Sequence, residues 1–330
     1  MGWRGVLRQI EADGRRAARE AERFRRTEEK QRLADLRAAR LDHAISEVEE
    51  HEEFIEALGS VHRDCGPNWD WQAVFKPLPL AVPIPGRDRE ERARLAVVNY
   101  RPTFWDWFLA RGGDRREELR GGIRVARDRD RDDYADAVKR HHETVAASRR
   151  SSDFAGLVLA GDLGAYSFAV KELAELSDLP AAFQSLRLST LRPGVVRADF
   201  DAGADGVVPC FTKRVLASGA LSIKAMPARD YDMLYSEYVC GSLLRVAREL
   251  LALLPVESTV VTAYRSRPDL RTGHLRLDPV ASALVPRLTA ERINWQSVHP
   301  TLCLSNFLHR VRLDGAGTSD SIRPIDASEF

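Results

Sequence analysis

The chain has 330 residues, 44% hydrophobic and 30% charged, and its 50 Lys and Arg against 49 Asp and Glu leave a formal net charge of +1. This composition excludes an intrinsically disordered chain, because disorder combines low hydrophobicity with high net charge. A chain beyond about 250–300 residues usually divides into domains, and a near-neutral total singles out no charged partner.

The cysteines point to a reducing compartment. Cys65, Cys210, Cys240 and Cys303 lie far apart, without the paired spacing of a disulfide framework or a zinc site. Six Lys against 44 Arg is the usage of a GC-rich bacterial gene. The most apolar long stretch, 239–256, contains three charged residues, which excludes a transmembrane helix there. We therefore expect a bacterial cytoplasmic protein with no cofactor, no metal and no transmembrane segment.

Residues 1–60 are predicted to form one long helix, because no proline falls between Trp3 and Ser60 and Ala, Arg and Glu dominate. A heptad repeat fits its second half, which we expect to be coiled-coil-like. The apolar side chains that keep the alternating spacing of four and three residues form the predicted oligomer seam: Leu41, Ile45, Val48 and Ile55.

Charge divides the same helix. Residues 1–40 carry 12 Lys and Arg and seven Asp and Glu, a balance of +5, whereas residues 41–60 carry seven Asp and Glu and no Lys or Arg. An antiparallel copy would set the basic half against the acidic half, whereas a parallel copy would set like charges together. Solvation of both faces is the alternative. The stripe of Trp3, Val6, Leu7 and Ile10 allows a peripheral membrane contact through residues 1–10 as a further interpretation.

Composition changes after the long helix. Residues 61–86 contain Pro77, Pro79, Pro83 and Pro85, which predict a semi-rigid Pro-rich linker, with a polyproline ligand for a partner as the alternative. Residues 87–180 return to a helical pattern with short turns, and we predict a helical hairpin region.

Residues 181–330 are predicted to form an α+β domain with a mainly antiparallel sheet. The pair Asp205-Gly206 predicts a β-hairpin. Pro227 and Pro255 bound a segment whose apolar side chains cover more than one face, which indicates a central buried helix.

No recognised catalytic motif occurs, so whether the chain is an enzyme is left open. Asp199 and Asp201 alternate along a predicted strand and would share one face, as the carboxylates of a metal-dependent nuclease do. The other candidate catalytic residues are ionisable side chains of the last domain: Glu237, Arg245, Arg248, Glu249 and His274. For the arginines and the glutamate on the buried helix, internal pairing is the alternative. Cys240 is a candidate nucleophile or a buried, inert thiol.

Basic side chains near the strands supply a candidate site for nucleic acid or another anion: Lys213, Arg214 and Lys224. Two functions follow. The first is a non-enzymatic assembly protein, with a helical arm for a homo-oligomer or a helical protein partner and an α+β module for partner binding. The second is an accessory protein that binds or processes nucleic acid, for example in a defence system.

Overall fold

A computed structural model describes residues 3–101, 112–269, 271–313 and 321–330, with all their side chains except those of residues 3–21, 112, 204 and 205. The fold belongs to the α+β class, as predicted. The chain divides into two compact units, of which the first combines residues up to Asn68 with Ser167–Phe330 and the second is Trp69–Tyr166.

The predicted long helix is confirmed. Helix α1 runs from Trp3 to Ser60 and is followed by a 3-10 turn, Val61–Arg63. The residues of α1 up to His43 whose side chains are described are exposed, whereas Ala44, His51 and Leu58 are buried. Only the last third of the helix therefore belongs to the packed body of the first unit.

The second unit is helical. Its elements are α2 (Trp71–Phe75), α3 (Asp88–Asn99) and α4 (Gly112–Leu159), and α5 (Leu163–Leu173) crosses the boundary to the first unit. Helix α4 is continuous through Gly121-Gly122. Helix α3 is fixed to α4 by Glu90, which accepts hydrogen bonds from Arg127 (2.8 Å) and Arg94 (2.6 Å).

The first unit contains a five-stranded sheet in the order β1-β2-β5-β6-β7. The strands are β1 (Arg187–Arg192), β2 (Val195–Asp201), β5 (Ser258–Pro268), β6 (Leu275–Pro286) and β7 (Leu308–Val311). Only β2 and β5 pair in parallel, so the prediction of a mainly antiparallel sheet is confirmed. Strands β3 (Phe211–Val215) and β4 (Leu221–Ala225) form a separate hairpin.

The predicted central helix is α8, Ala228–Leu253, which follows Pro227 and packs against β5 and β6. Its middle is buried on all sides, since every residue from Tyr238 to Ala247 is buried. Short helices complete the unit, and they are α6 (Pro180–Ser185), α7 (Ala204–Val207), α9 (Arg287–Ala290) and α10 (Pro300–Cys303).

The prediction of a hairpin at Asp205-Gly206 is wrong, because these residues lie in the helical turn α7. The Asp201 side chain accepts a hydrogen bond from the backbone N–H of Gly203 at 2.9 Å, which turns the chain directly after β2. Gly203 has a φ of 61° there, a left-handed conformation that favours glycine. The local side-chain hydrogen bond therefore ends the strand before the Asp-Gly pair is reached.

Candidate assembly interface

The helix α1 is exposed on every side from residue 22 to His43. At about 1.5 Å per residue this stretch is roughly 33 Å long. It carries large apolar side chains with no described cover, among them Phe24 at 64%, Leu33 at 49% and Leu36 at 49% exposed. Local contacts support it only weakly, because pairs such as Arg26–Glu22 (2.5 Å) contribute a few tenths of a kcal/mol each. Helices in proteins usually gain their stability from packing an apolar face, and this segment has none packed.

The predicted seam is divided between two faces of α1. Val48 and Ile55 are half-buried against the rest of the first unit, whereas Leu41 and Ile45 are 38% and 39% exposed. The face that packs inside the unit is centred on Ala44, His51 and Leu58, one heptad position away from the predicted row. Leu41 also faces the turn of the β3–β4 hairpin, so only the exposed fractions of Leu41 and Ile45 are left for a partner.

A groove of about 940 Å³ lies where α1 leaves the packed body. One wall is the α1 segment Leu36–Ala44, and the other is the turn of the β3–β4 hairpin, residues 216–221. The walls are mostly apolar or small, since Leu36, Leu41, Leu216 and Leu221 alternate with alanines and Gly219. Such a concave apolar surface next to an exposed helix has the shape that accepts another helix.

Two contacts fix the hairpin against α1. The Lys213 ammonium donates a hydrogen bond to Oε2 of Glu47 at 2.5 Å, and the ring of Phe211 stacks on His51 with 5.3 Å between centroids. This ion pair lowers the pKa of Glu47, because the Lys213 hydrogen bond and charge favour the carboxylate. The groove therefore has one wall held in place by polar and aromatic contacts.

The three candidate anion-binding residues do not lie on one face of the hairpin. Lys213 faces α1 and is occupied by Glu47, whereas Arg214 and Lys224 are exposed. In the hairpin register Arg214 lies opposite Ser222 and Lys224 opposite Thr212, so the two exposed cations share the outer face.

The charged residues of α8 form a buried network. Oε2 of Glu249 accepts hydrogen bonds from Nη1 of Arg245 at 2.6 Å and from the Gly66 backbone N–H at 3.0 Å. Its Oε1 accepts the Glu175 backbone N–H at 2.8 Å. Glu249 is 0% exposed and Arg245 is 3% exposed. These two candidate catalytic residues are thus engaged in holding two loops against the core helix.

Arg248 has a similar structural role. Its Nη1 donates hydrogen bonds to the carbonyls of His62, Arg63 and Asp64, and its guanidinium lies 4.6 Å from the ring centroid of Trp295. A pocket of about 140 Å³ beside it is also lined by Cys65 and Arg287. Burial is the main cause that raises the pKa of the Cys65 thiol, which keeps it protonated near neutral pH.

Glu237 lies in a different cluster. Its Oε1 is 3.0 Å from Nε2 of His299, and Nδ1 of His299 is 2.9 Å from the Thr301 hydroxyl. Sequence reasoning did not identify this hydroxyl–imidazole–carboxylate chain, because Glu237 and His299 are 62 residues apart and no spacing rule connects them. His274 is exposed in the β5–β6 loop, and Cys240 is buried with its pKa raised to about 12 by desolvation. The described contacts therefore supply no activated thiol at Cys240.

Asp199 and Asp201 line one pocket of about 200 Å³ together with Arg187 and Tyr264. Asp199 is paired with Arg197 at 3.0 Å, and Asp201 is used in the turn at Gly203. Among the described residues no group of three or more His, Cys, Asp or Glu is placed to hold a metal ion. The pocket thus brings the two predicted carboxylates to the same face without the third ligand of a metal site.

His62 gives the first unit a predicted pH dependence. The ring is 0% exposed and Nε2 donates to the Val298 carbonyl at 2.9 Å. Burial lowers the pKa of His62 from its ordinary value of 6.5, and the charges of Arg63, Arg248 and His299 lower it further. As the pH falls, the unfolded chain therefore binds a proton at His62 before the folded chain does. The stabilising contribution of neutral His62 to the free energy of unfolding is complete above pH 6.5 and is lost as the pH falls through 6.5 toward the folded pKa.

We expect denaturant unfolding to show the first unit losing stability between pH 7.5 and 5, and His62→Gln to flatten that dependence. The exposed His274→Gln is the matched control and should keep the wild-type slope. Equal slopes in all three proteins would show that His62 does not carry the effect.

The described residues contain no single helix that is both long and apolar enough to cross a membrane. The side chains of residues 1–10, on which the proposed membrane contact depends, lie outside the described part. Comparison with protein-family models, with curated proteins and with solved structures finds no match for this chain.

Proposed function

We propose that this protein is a non-enzymatic assembly protein whose helix α1 pairs with α1 of a second copy. The proposal rests on the stretch from residue 22 to His43, which is helical, exposed on every side and carries several large apolar side chains. Large apolar side chains left in water on a helix forgo the free energy that burial against a partner would supply. The adjoining groove offers the partner helix a second wall.

The sequence of the exposed stretch favours an antiparallel pair. If two copies of residues 24–45 overlap antiparallel, Phe24 of one copy meets Ile45 of the other, Gln31 meets Ala38, and Ala34 lies at the centre. Small central residues allow the two backbones to approach closely, while larger residues fill the ends. In the same alignment the basic stretch 15–26 lies beside the acidic stretch 43–54, so the charges are complementary.

A mass measurement tests the assembly. Multi-angle light scattering of the full chain over a range of concentrations is expected to show a dimer of the 37.0 kDa chain, dissociating on dilution. A compact monomer at every concentration, with small-angle scattering that shows no extended dimer, would contradict the proposal.

Spin labels test the orientation. For this measurement Cys65 and Cys210 are replaced by serine and a label is placed at Phe24→Cys. The antiparallel pair predicts about 32 Å along the axis between the two labels of a dimer, since each lies about 10.5 residues from the centre. A parallel pair predicts only the interhelical distance of roughly 8–10 Å, lengthened by the label arms. A short distance at position 24 would leave the dimer standing but reject the antiparallel arrangement.

A further inference from the structure

The segment between α2 and α3 is extended and apolar. Residues 76–87 contain four prolines, and residues 77–86 make no backbone hydrogen bond to another described residue. Proline at 77, 79, 83 and 85 fixes the backbone φ and removes four donors, so neither a helix nor a sheet ladder can form there. Left without such bonds, a proline-rich segment adopts the polyproline II conformation.

The contacts at its two ends show that the segment is drawn out along α4. At one end the Phe75 carbonyl accepts a hydrogen bond from the Ser152 hydroxyl, and at the other the Arg89 N–H donates to Asp130. Ser152 and Asp130 are separated by about 33 Å of helix at 1.5 Å per residue. Spread over the 14 residues from Phe75 to Arg89, this is about 2.4 Å per residue, nearer the 3.1 Å of polyproline II than the rise of a helix.

Nearly the whole segment is exposed, and only Pro83 is half-buried. Leu78, Val82 and Ile84 are 88%, 72% and 87% exposed, and Leu80 is 41% exposed. A polyproline II helix has three residues per turn, so the exposed residues at 78, 81 and 84 would lie along one edge, which we call the outer edge.

The outer edge is an unusual surface for an exposed segment. A connection that served only as a linker would not need leucine and isoleucine almost fully in water, where each loses the roughly 1.5–3 kcal/mol available from burial. No acidic residue falls between Trp71 and Arg87, and the apolar edge is flanked by the exposed cations Lys76 and Arg87. Its electrostatic complement is therefore an apolar groove with acidic groups at its rim.

We propose that residues 76–87 are a docking segment for a partner domain that has an aromatic-lined, acidic-rimmed groove for polyproline II ligands. Leu78, Ala81 and Ile84 enter the groove, and Lys76 and Arg87 pair with the acidic rim. Because the conformation is set by prolines before binding, little ordering entropy opposes the complex. This site lies in the second unit and is independent of the pairing of α1.

The test uses the full-length chain and a panel of purified SH3, WW and EVH1 domains, which bind proline-rich ligands in aromatic-lined grooves. Each ¹⁵N-labelled domain is titrated with the chain while its amide shifts are followed. We expect shifts confined to the aromatic groove for domains with acidic rims. Leu78→Ser combined with Ile84→Ser is expected to weaken this binding about 10-fold or more, since two anchoring side chains are removed.

The matched control is Leu95→Ser with Val98→Ser, because these side chains of α3 in the same unit are 58% and 78% exposed but lie on a helix. The control should bind like the wild type. The proposal is overturned if no domain of the panel shifts at its groove, if the segment variant binds unchanged, or if the control weakens binding equally. Thermal unfolding of both variants, whose altered side chains are mostly in water, checks that the fold is kept.

Discussion

Replacing Glu249 with alanine is expected to lower the free energy of unfolding of the first unit by about 3–5 kcal/mol, which is the usual cost of breaking a buried ion pair from one side. The carboxylate is 0% exposed and accepts hydrogen bonds from Arg245, Gly66 and Glu175. Its removal leaves the 3% exposed Arg245 without its closest anion and leaves two backbone N–H groups without their acceptor. Unpaired buried groups of this kind carry their full desolvation cost.

A graded series removes parts of the network in turn. Glu249→Gln keeps one acceptor oxygen but replaces the other by an NH2 group, so it loses the charge and the hydrogen bonds accepted by one of the two oxygens. We expect a smaller loss than for alanine, because one acceptor and most of the packing remain. Gly66→Ala approaches the same carboxylate from the other side, since an added Cβ would lie 2.7 Å from Oε1 of Glu249. That contact displaces the carboxylate, and we expect the loop bond at Gly66 to be broken while the Arg245 pair remains.

Hydrogen exchange of α8 amides during denaturant titration is the suitable measurement, because it follows one unit of a chain that has two. The exposed Glu291→Ala is the control and should change stability by less than about 0.5 kcal/mol. If Glu249→Ala also changed the unfolding free energy of α8 by less than about 1 kcal/mol, the network would not be what holds the two loops.

This network also shows what the sequence could and could not predict. The spacing of four residues between Arg245 and Glu249 predicts an ion pair on one helix, and that pair is present. The backbone partners at Gly66 and Glu175 are 183 and 74 residues away from Glu249, and no local pattern encodes such contacts. Pro227 and the apolar run before Pro255 were enough to predict the position and bounds of α8, because the ends of a helix depend on nearby residues.

The seam of α1 was predictable only in part for a related reason. A heptad repeat indicates which side chains share a stripe, but it does not indicate which stripe the rest of the chain occupies. Here β3 and α8 pack against the row of Ala44, His51 and Leu58, which leaves Leu41 and Ile45 outside. Interactions such as His51 with Phe211 determine that choice, and they join residues 160 positions apart.

Introducing charge at the exposed half of the seam is expected to dissociate the proposed dimer. In Leu41→Glu with Ile45→Glu, each antiparallel interface would bring four new carboxylates into contact with the partner helix. Those at position 45 lie opposite Phe24, and those at position 41 lie opposite Glu28, which carries the same charge. Burying even one such charge without a partner costs several kcal/mol, so we expect the dissociation constant to rise about 100-fold or more. The wild-type side chains are 38% and 39% exposed within one chain, so the monomer should keep its fold.

Sedimentation velocity over a concentration series measures this change, and the control has the same charge placed elsewhere on the same unit. Leu275 and Leu302 are 76% and 72% exposed and lie outside both α1 and the groove. The pair Leu275→Glu with Leu302→Glu adds the same negative charge, so general repulsion between acidic molecules would weaken both dimers alike. If only the α1 variant dissociates, the dimer contact lies at the seam. If the dimer persists in both variants, another surface must hold it together.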